Sequence, residues 1–285
     1  MHDLAYERPE TLAGALALLQ ARGRHAQPLA GGTDLIIGLR HGTLDPDTIV
    51  DTKHIPELRP AITDSGGLLS ISANTVLADI AADRRVQEHF PALAQAAATV
   101  GAVQIRNRAT LAGNICNASP AADTAPPLLV YEAEVVAIGR DGMRRIPIND
   151  FFAGPGQTAL ARGELVLAVD LPVPTGPTGS AFGRLTRRRG ADLATVSVCA
   201  CVTGSGVTRL GFGAVGPRTL LVTDDSGLLA DPAADPAARA GLLARLATAA
   251  SPVSDVRASR DYRMRMLLVL SQRVLSAAIT RRGEE

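Results

Sequence analysis

The sequence predicts an α+β chain built in two parts. Three observations carry that reading. Two glycine-containing segments, Pro28-Leu29-Ala30-Gly31-Gly32-Thr33-Asp34-Leu35 and Thr110-Leu111-Ala112-Gly113-Asn114, sit among alternating short helices and strands. The run Pro172-Val173-Pro174-Thr175-Gly176-Pro177-Thr178-Gly179 then interrupts both kinds of regular structure. Beyond it, strand-like segments come first, as a meander, and helix-like segments last, the separate runs of strand and helix expected of an α+β chain.

Taken in order, residues 9–22 read as a helix. Pro9 and Glu10 open it, Leu12, Leu16 and Leu19 recur on one face, and Gly23 ends it. Gln27 to Ala30 leads into the first glycine segment. Leu35 to Leu39 follows as a short helix, which Thr33 or Asp34 could cap, and Thr48 to Asp51 reads as a strand. After the Gly66-Gly67 turn, Leu68 to Ala73 is a strand, and helices are expected near 76–84 and 91–98. The second glycine segment comes next, then a helix from Asp123 to Glu132. Glu134 to Gly139 is a strand, Asp141-Gly142 a hairpin turn, and Glu164 to Leu171 a strand closed by Pro172. Past the linker, 181–187, 192–203 and 206–215 read as a three-stranded meander. Helices are expected at about 234–249 and 261–281.

Composition narrows the function class. A chain of 285 residues with 46% hydrophobic residues can bury a large core, and with no Trp it must fill it from Ala, Val and Leu. The 29 basic and 28 acidic residues leave a formal charge of +1, so no nucleic-acid or membrane surface is indicated. Three Cys imply no disulfide framework and cannot supply the four thiolates of an ordinary iron–sulfur cluster. Met1-His2-Asp3-Leu4-Ala5-Tyr6-Glu7 lacks the basic start of a signal peptide, and no apolar run reaches the length of a membrane span. A cytoplasmic setting is expected. The five His form no zinc-type pair, and there is no G-x-S-x-G nucleophile elbow.

The chemistry lies in the paired glycine segments. Small residues let backbone N–H groups approach an anion, and a strand–loop–helix junction aims those groups and a positive dipole at it. Each segment alone could be an ordinary turn. Two in one chain point to a pyrophosphate held from both sides, hence a dinucleotide. Asn114 and Asn117 suit ribose hydroxyls and phosphates, and Asp123 either opens its helix or accepts from a cofactor hydroxyl. Gly211-Phe212-Gly213-Ala214-Val215-Gly216 matches the G-x-G-x-x-G pattern, but Pro217 follows at once and the approach is a hairpin strand. It reads as a strand end, which argues against a Rossmann NAD site. Cys199 and Cys201 share one face of an apolar strand and read as buried thiols. The run Arg184-Leu185-Thr186-Arg187-Arg188-Arg189 is either a solvated strand edge or a basic patch beside a phosphate-bearing cofactor or partner.

The paired segments, with Gln104-Ile105-Arg106-Asn107 ahead of the second and Asn117-Ala118-Ser119-Pro120-Ala121-Ala122-Asp123 after it, resemble the FAD-binding medium subunit of molybdenum hydroxylases. The resemblance extends through Gly163-Glu164-Leu165 to Pro172, Arg187-Arg188 to Val198, and Ser254-Asp255-Val256-Arg257-Ala258-Ser259 with Tyr262-Arg263, so it covers nearly the whole chain. It implies a two-subdomain FAD fold of the p-cresol methylhydroxylase (PCMH) type over 1–176, divided near residue 58, and a C-terminal flavoprotein domain over 177–285. It also implies FAD contacts at Pro28, Leu29, Ala30, Gly31, Gly32, Thr33, Asp34 and Leu35, and at Thr110, Leu111, Ala112, Gly113 and Asn114. Asp123 matches the family's acidic contact, Leu165 an apolar flavin neighbour and Arg187 a basic one. No residue of this chain is expected to attack the organic substrate.

Three departures stand out. Ala112 replaces the first of two glycines often present in the second segment. Leu193 occupies a position where some members stack a Tyr on the flavin. The cysteine-rich insert of the benzoyl-CoA-reductase branch is absent. The resemblance further implies a large subunit with a molybdopterin cofactor, a small subunit with two [2Fe–2S] clusters, and assembly as a dimer of heterotrimers. Electrons would pass from those clusters through FAD to an external acceptor. A stand-alone flavoenzyme on the same fold, or a non-catalytic nucleotide-binding module, would carry the same glycine segments.

Overall fold

Three main sheets and a two-stranded hairpin of Phe152–Gly154 with Gln157–Thr158 make up the β-structure of the described residues, with helices packed against them. The computed structural model describes residues 4–22 and 25–284. The expected helix stop at Gly23 and residues 1–3 of the leader reading lie outside them. The first sheet is parallel, with Thr48–Asp51 between Ala5–Glu7 and Ala26–Leu29. The second is antiparallel, in the order Ile62–Ser65, Leu68–Ser72, Leu165–Pro172, Glu134–Gly139 and Gly142–Pro147. The third is a four-stranded meander of Thr178–Leu185, Val196–Thr203, Thr208–Gly213 and Leu220–Asp224.

Several expected elements shift for local reasons. The first helix begins at Leu12, three residues past the expected start at Pro9, because the Thr11 hydroxyl accepts from the Gly14 N–H and caps it there. Helix Arg84–His89 was not expected; Asp83 caps it by accepting from the Arg85 and Val86 N–H groups. The hairpin turn falls on Arg140-Asp141, and Gly142, at φ +100°, already pairs with Gly139. The meander gains the strand Leu220–Asp224 beyond the break at Pro217.

Val196–Thr203 positions the two halves. It is buried on both faces. Val198, Ala200 and Val202 pack in a C-terminal core with the long helix Arg260–Glu284, whereas Cys199 and Cys201 pack in the N-terminal core. Both thiols are pushed up by burial, as expected of packing residues. The glycines at 211 and 213 belong to strand Thr208–Gly213. A Cβ on Gly211 would sit 2.6 Å from the Pro126 carbonyl oxygen, so these glycines admit helix Ala125–Val130 onto the sheet. The Ala214 N–H donates to Pro120 O (2.8 Å), tying the meander to the segment after the second glycine run.

Candidate functional site

The two glycine segments meet. Pro28 and Leu29 end strand Ala26–Leu29, Ala30 to Thr33 turn the chain, and Leu35 begins helix Leu35–His41. Asp34 stands at the N-cap without a side-chain bond, so it does not act as the expected cap. Gly32 lies at φ +77°, where a side chain is strained. Gly31 has a different requirement. A Cβ there would collide with the Arg108 carbonyl oxygen and come within 2.8 Å of its carbon and 3.0 Å of Ala109 Cα. The first segment therefore rests on the backbone that leads into the second.

The second segment is not a loop. Thr110 is the N-cap of helix Leu111–Cys116, its hydroxyl accepting from the Gly113 N–H at 3.0 Å. Leu111 and Ala112 are buried in the N-terminal core, so the methyl that replaces a glycine at 112 is used in packing. Asn114 Oδ1 accepts from the Thr124 hydroxyl at 2.6 Å, which fixes the stretch around Asp123 against this helix.

A cleft of about 190 Å³ opens where the segments meet, lined by Ala30, Gly31, Lys53, Pro60, Asn74, Val76, Arg108 and Thr110. Lys53, Asn74 and Arg108 were not anticipated from the sequence. Lys53 is held by Asp51, whose Oδ1 accepts from its Nζ at 2.6 Å and its N–H at 3.0 Å, while Tyr6 donates to Oδ2. Burial pushes the Asp51 carboxyl up, but the bonds from Lys53 and Tyr6 outweigh it and hold it below its usual range. Asn74 is locked by two bonds with Thr52, which also donates to Leu29 O. The cleft thus combines glycine backbone, two cations and fixed polar groups, which is chemistry suited to a phosphate-bearing ligand.

Asp123 does not open its helix, which starts at Ala125 with Thr124 as N-cap. It turns instead to the meander, where Arg184 Nη1 donates to its Oδ2 at 2.5 Å. Asp123 is 5% exposed, and its Oδ1 has no hydrogen-bond partner. Burial pushes its carboxyl up to about 6, against the opposing pull of Arg184 and of Thr99. An orphaned acceptor in so dry a setting fits a donor on a bound cofactor.

Within the basic run, Arg184 points inward, whereas Arg187 reaches Asp192 at 3.2 Å on the exposed loop and Arg188 donates to Ala191 O. The sequence did not set Arg184 apart from Arg187. Arg184 lies two residues after Phe182 on strand Thr178–Leu185, so the two share a face, and Phe182 packs against the N-terminal core. Leu165 begins strand Leu165–Pro172, buried in the core and on the strand that packs against helix Leu111–Cys116. Leu193 is exposed. No group of His, Cys, Asp and Glu among the described residues could hold a metal ion, and no described helix is long and apolar enough to cross a membrane.

Comparison with known proteins agrees with this geometry. Residues 2–174 match the profile of the FAD binding domain in molybdopterin dehydrogenase, and residues 181–278 that of the CO dehydrogenase flavoprotein C-terminal domain. The chain is 33% identical to the xanthine dehydrogenase FAD-binding subunit of Escherichia coli O157:H7, with 99% of each chain covered. It is 32% identical to the carbon monoxide dehydrogenase medium chain of Hydrogenophaga pseudoflava over 97% of each. Among solved structures, reconstituted CO dehydrogenase from Oligotropha carboxidovorans aligns at TM-score 0.91 with 29% identity, covering 98% of each chain. Quinoline 2-oxidoreductase from Pseudomonas putida 86 aligns at TM-score 0.86 with 27% identity over 97% of each. The chain therefore belongs to the FAD-binding medium subunits of the molybdenum hydroxylases, a family of oxidoreductases.

Proposed function

We propose that this chain is the electron-transfer station of a three-subunit hydroxylase or dehydrogenase. A large subunit would carry the molybdopterin cofactor and oxidise the substrate, and a small one would carry two [2Fe–2S] clusters. Two such heterotrimers would pair in the cytoplasm. Electrons would pass from the clusters through FAD to an external acceptor. The observation that carries the reading is the contact of Gly31 with the Arg108–Ala109 backbone, which closes the two glycine segments around one cleft.

In this reading the domains are 1–176 and 177–285. Pro28 to Leu35 and Thr110 to Asn114 enclose the FAD pyrophosphate; the turn after Pro28 offers backbone N–H groups, whereas the N–H groups of Leu111, Gly113 and Asn114 are already given to Thr75 and Thr110, and Lys53 and Arg108 neutralise the charge. Asp123 offers its free oxygen to the flavin end, and Arg184 orients it. Leu165 and Arg187 keep the contacts that the family resemblance assigns them. When bound, FAD supplies one- and two-electron chemistry that no side chain of this protein provides.

The test is expression together with the genes that adjoin it, followed by analysis of the purified assembly. The expected result is one FAD per copy of this chain, bleached when the assembly is given its organic substrate. An assembly without flavin, or one whose flavin stays oxidised while the iron centres are reduced, contradicts the proposal.

A further inference from the structure

We propose that the loop at 253–258, with Leu193 beside it, is the surface on which the electron-donating iron–sulfur subunit docks. The inference deepens the function proposed above and rests on it for the identity of the partner. Val253 and Val256 are 69% and 95% exposed, on a stretch of chain that is nevertheless tightly fixed. Asp255 Oδ1 accepts from the Arg257 and Ala258 N–H groups at 2.9 and 3.2 Å and from Arg263 Nη2 at 2.7 Å, and Oδ2 accepts from Arg257 Nε at 3.0 Å. The Asp255 N–H donates to Ala258 O, and the Arg260 N–H to Ser254 Oγ. A loop folded around one carboxylate thus holds two valines out in water at set positions. Single exposed apolar residues are ordinary, but a fixed pair has already given up the freedom that binding would otherwise cost.

Arg263 extends the surface. It is buried, and its Nη1 donates to Thr195 O at 2.5 Å and Ala214 O at 3.1 Å. One guanidinium therefore brings Thr195 beside Asp255, and the exposed Leu193, two residues earlier, adjoins the valines. Charge then selects the partner. Asp192 is paired with Arg187, and Asp255 with Arg257 and Arg263. Arg188, Arg189 and Arg260 are exposed and form no salt bridge among the described residues, against one neighbouring carboxylate that also forms none, Asp261. An apolar centre flanked by surplus cations fits a protein surface with a shallow apolar pocket rimmed by carboxylates, and long-range attraction brings such a surface in. Of the proposed partners, the electron donor is the one that must approach the cofactor. Ala214, whose carbonyl Arg263 holds, donates its N–H to Pro120 O at 2.8 Å, in the segment that leads to Asp123. The surface is thereby continuous with the cofactor-binding half of the chain.

The experiment replaces Val256 with a photo-crosslinking benzoylphenylalanine in the complex formed with the products of the adjoining genes. Irradiation is expected to join this chain to the small subunit, at a peptide rich in Asp and Glu. In parallel, the Val256→Glu complex should shed its small subunit on dilution at concentrations at least about tenfold higher, because a carboxylate then faces the acidic rim. Combining Arg188→Gln, Arg189→Gln and Arg260→Gln should flatten the salt dependence of the same dissociation. A cross-link to the large subunit, to a second copy of this chain or to no other chain overturns the inference, as does unchanged dissociation of the Val256→Glu complex. Flavin content, measured on the same samples, judges the FAD reading separately. A complex with full flavin and no cross-link to the small subunit loses the docking surface alone, whereas an unsubstituted complex without flavin loses the FAD reading.

Discussion

The two glycine segments look alike in sequence and serve different physical ends. Gly31 is required because another part of the backbone occupies the space a Cβ would take. Gly113 sits in the first turn of a capped helix, where the nearest obstacle is the Thr110 hydroxyl at 3.0 Å, an atom able to move. The first glycine maintains a contact between segments 77 residues apart in number, from 31 to 108. The second tunes a local helix end. A glycine near a ligand is thus no evidence by itself that the ligand needs it.

That contrast orders the expected effects of substitution. Gly31→Ala should be the most damaging. It forces the segments apart, costs about 1–3 kcal/mol of stability as overpacking, and lowers FAD retention in the assembled complex at least about tenfold. Calorimetry and flavin content measure the two losses; a variant with full flavin content would remove the distinction. Next comes neutralisation of the cleft by Lys53→Gln with Arg108→Gln. Lys53 is partly buried and Arg108 exposed, so each contact with phosphate contributes at most about 1 kcal/mol; flavin should dissociate several-fold faster and lose much of its sensitivity to salt, as followed by fluorescence of released FAD. Thr110→Ala removes only the cap on the Gly113 N–H and should cost about 1 kcal/mol in denaturant unfolding. Gly113→Ala should be the mildest. The gain in helix propensity, up to about 1 kcal/mol, offsets a small shift of the Thr110 hydroxyl, leaving stability nearly unchanged.

The same contrast explains how much was legible in the sequence. Most strands and the two C-terminal helices followed from apolar periodicity and turn residues, because those signals are local. Helix Leu111–Cys116 was hidden because Ala112, Gly113 and Asn114 read as a loop, while its helical state depends on Thr110 capping it and on Leu111 and Ala112 packing into the core. The segments at 28–35 and 110–114 could be named from composition, but not their contact, which is a long-range fact. Lys53, Asn74 and Arg108 carry no local signature. Each owes its place in the cleft to partners elsewhere in the chain, as Asn74 does to Thr52. Arg184 and Arg187 were indistinguishable as members of one basic run, and only pairing in the sheet turned the first toward Asp123 and left the second with Asp192.

The account turns on one claim: the paired segments form a single clamp for the pyrophosphate of FAD. A structure of the assembled complex with its native cofactor tests this most directly. The account predicts phosphate density between Ala30–Thr33 and Thr110–Gly113, within hydrogen-bonding distance of backbone N–H groups of the first segment, in contact with the second and beside Lys53 and Arg108. Phosphate density that touches only one segment, or lies outside the cleft they enclose, would contradict it.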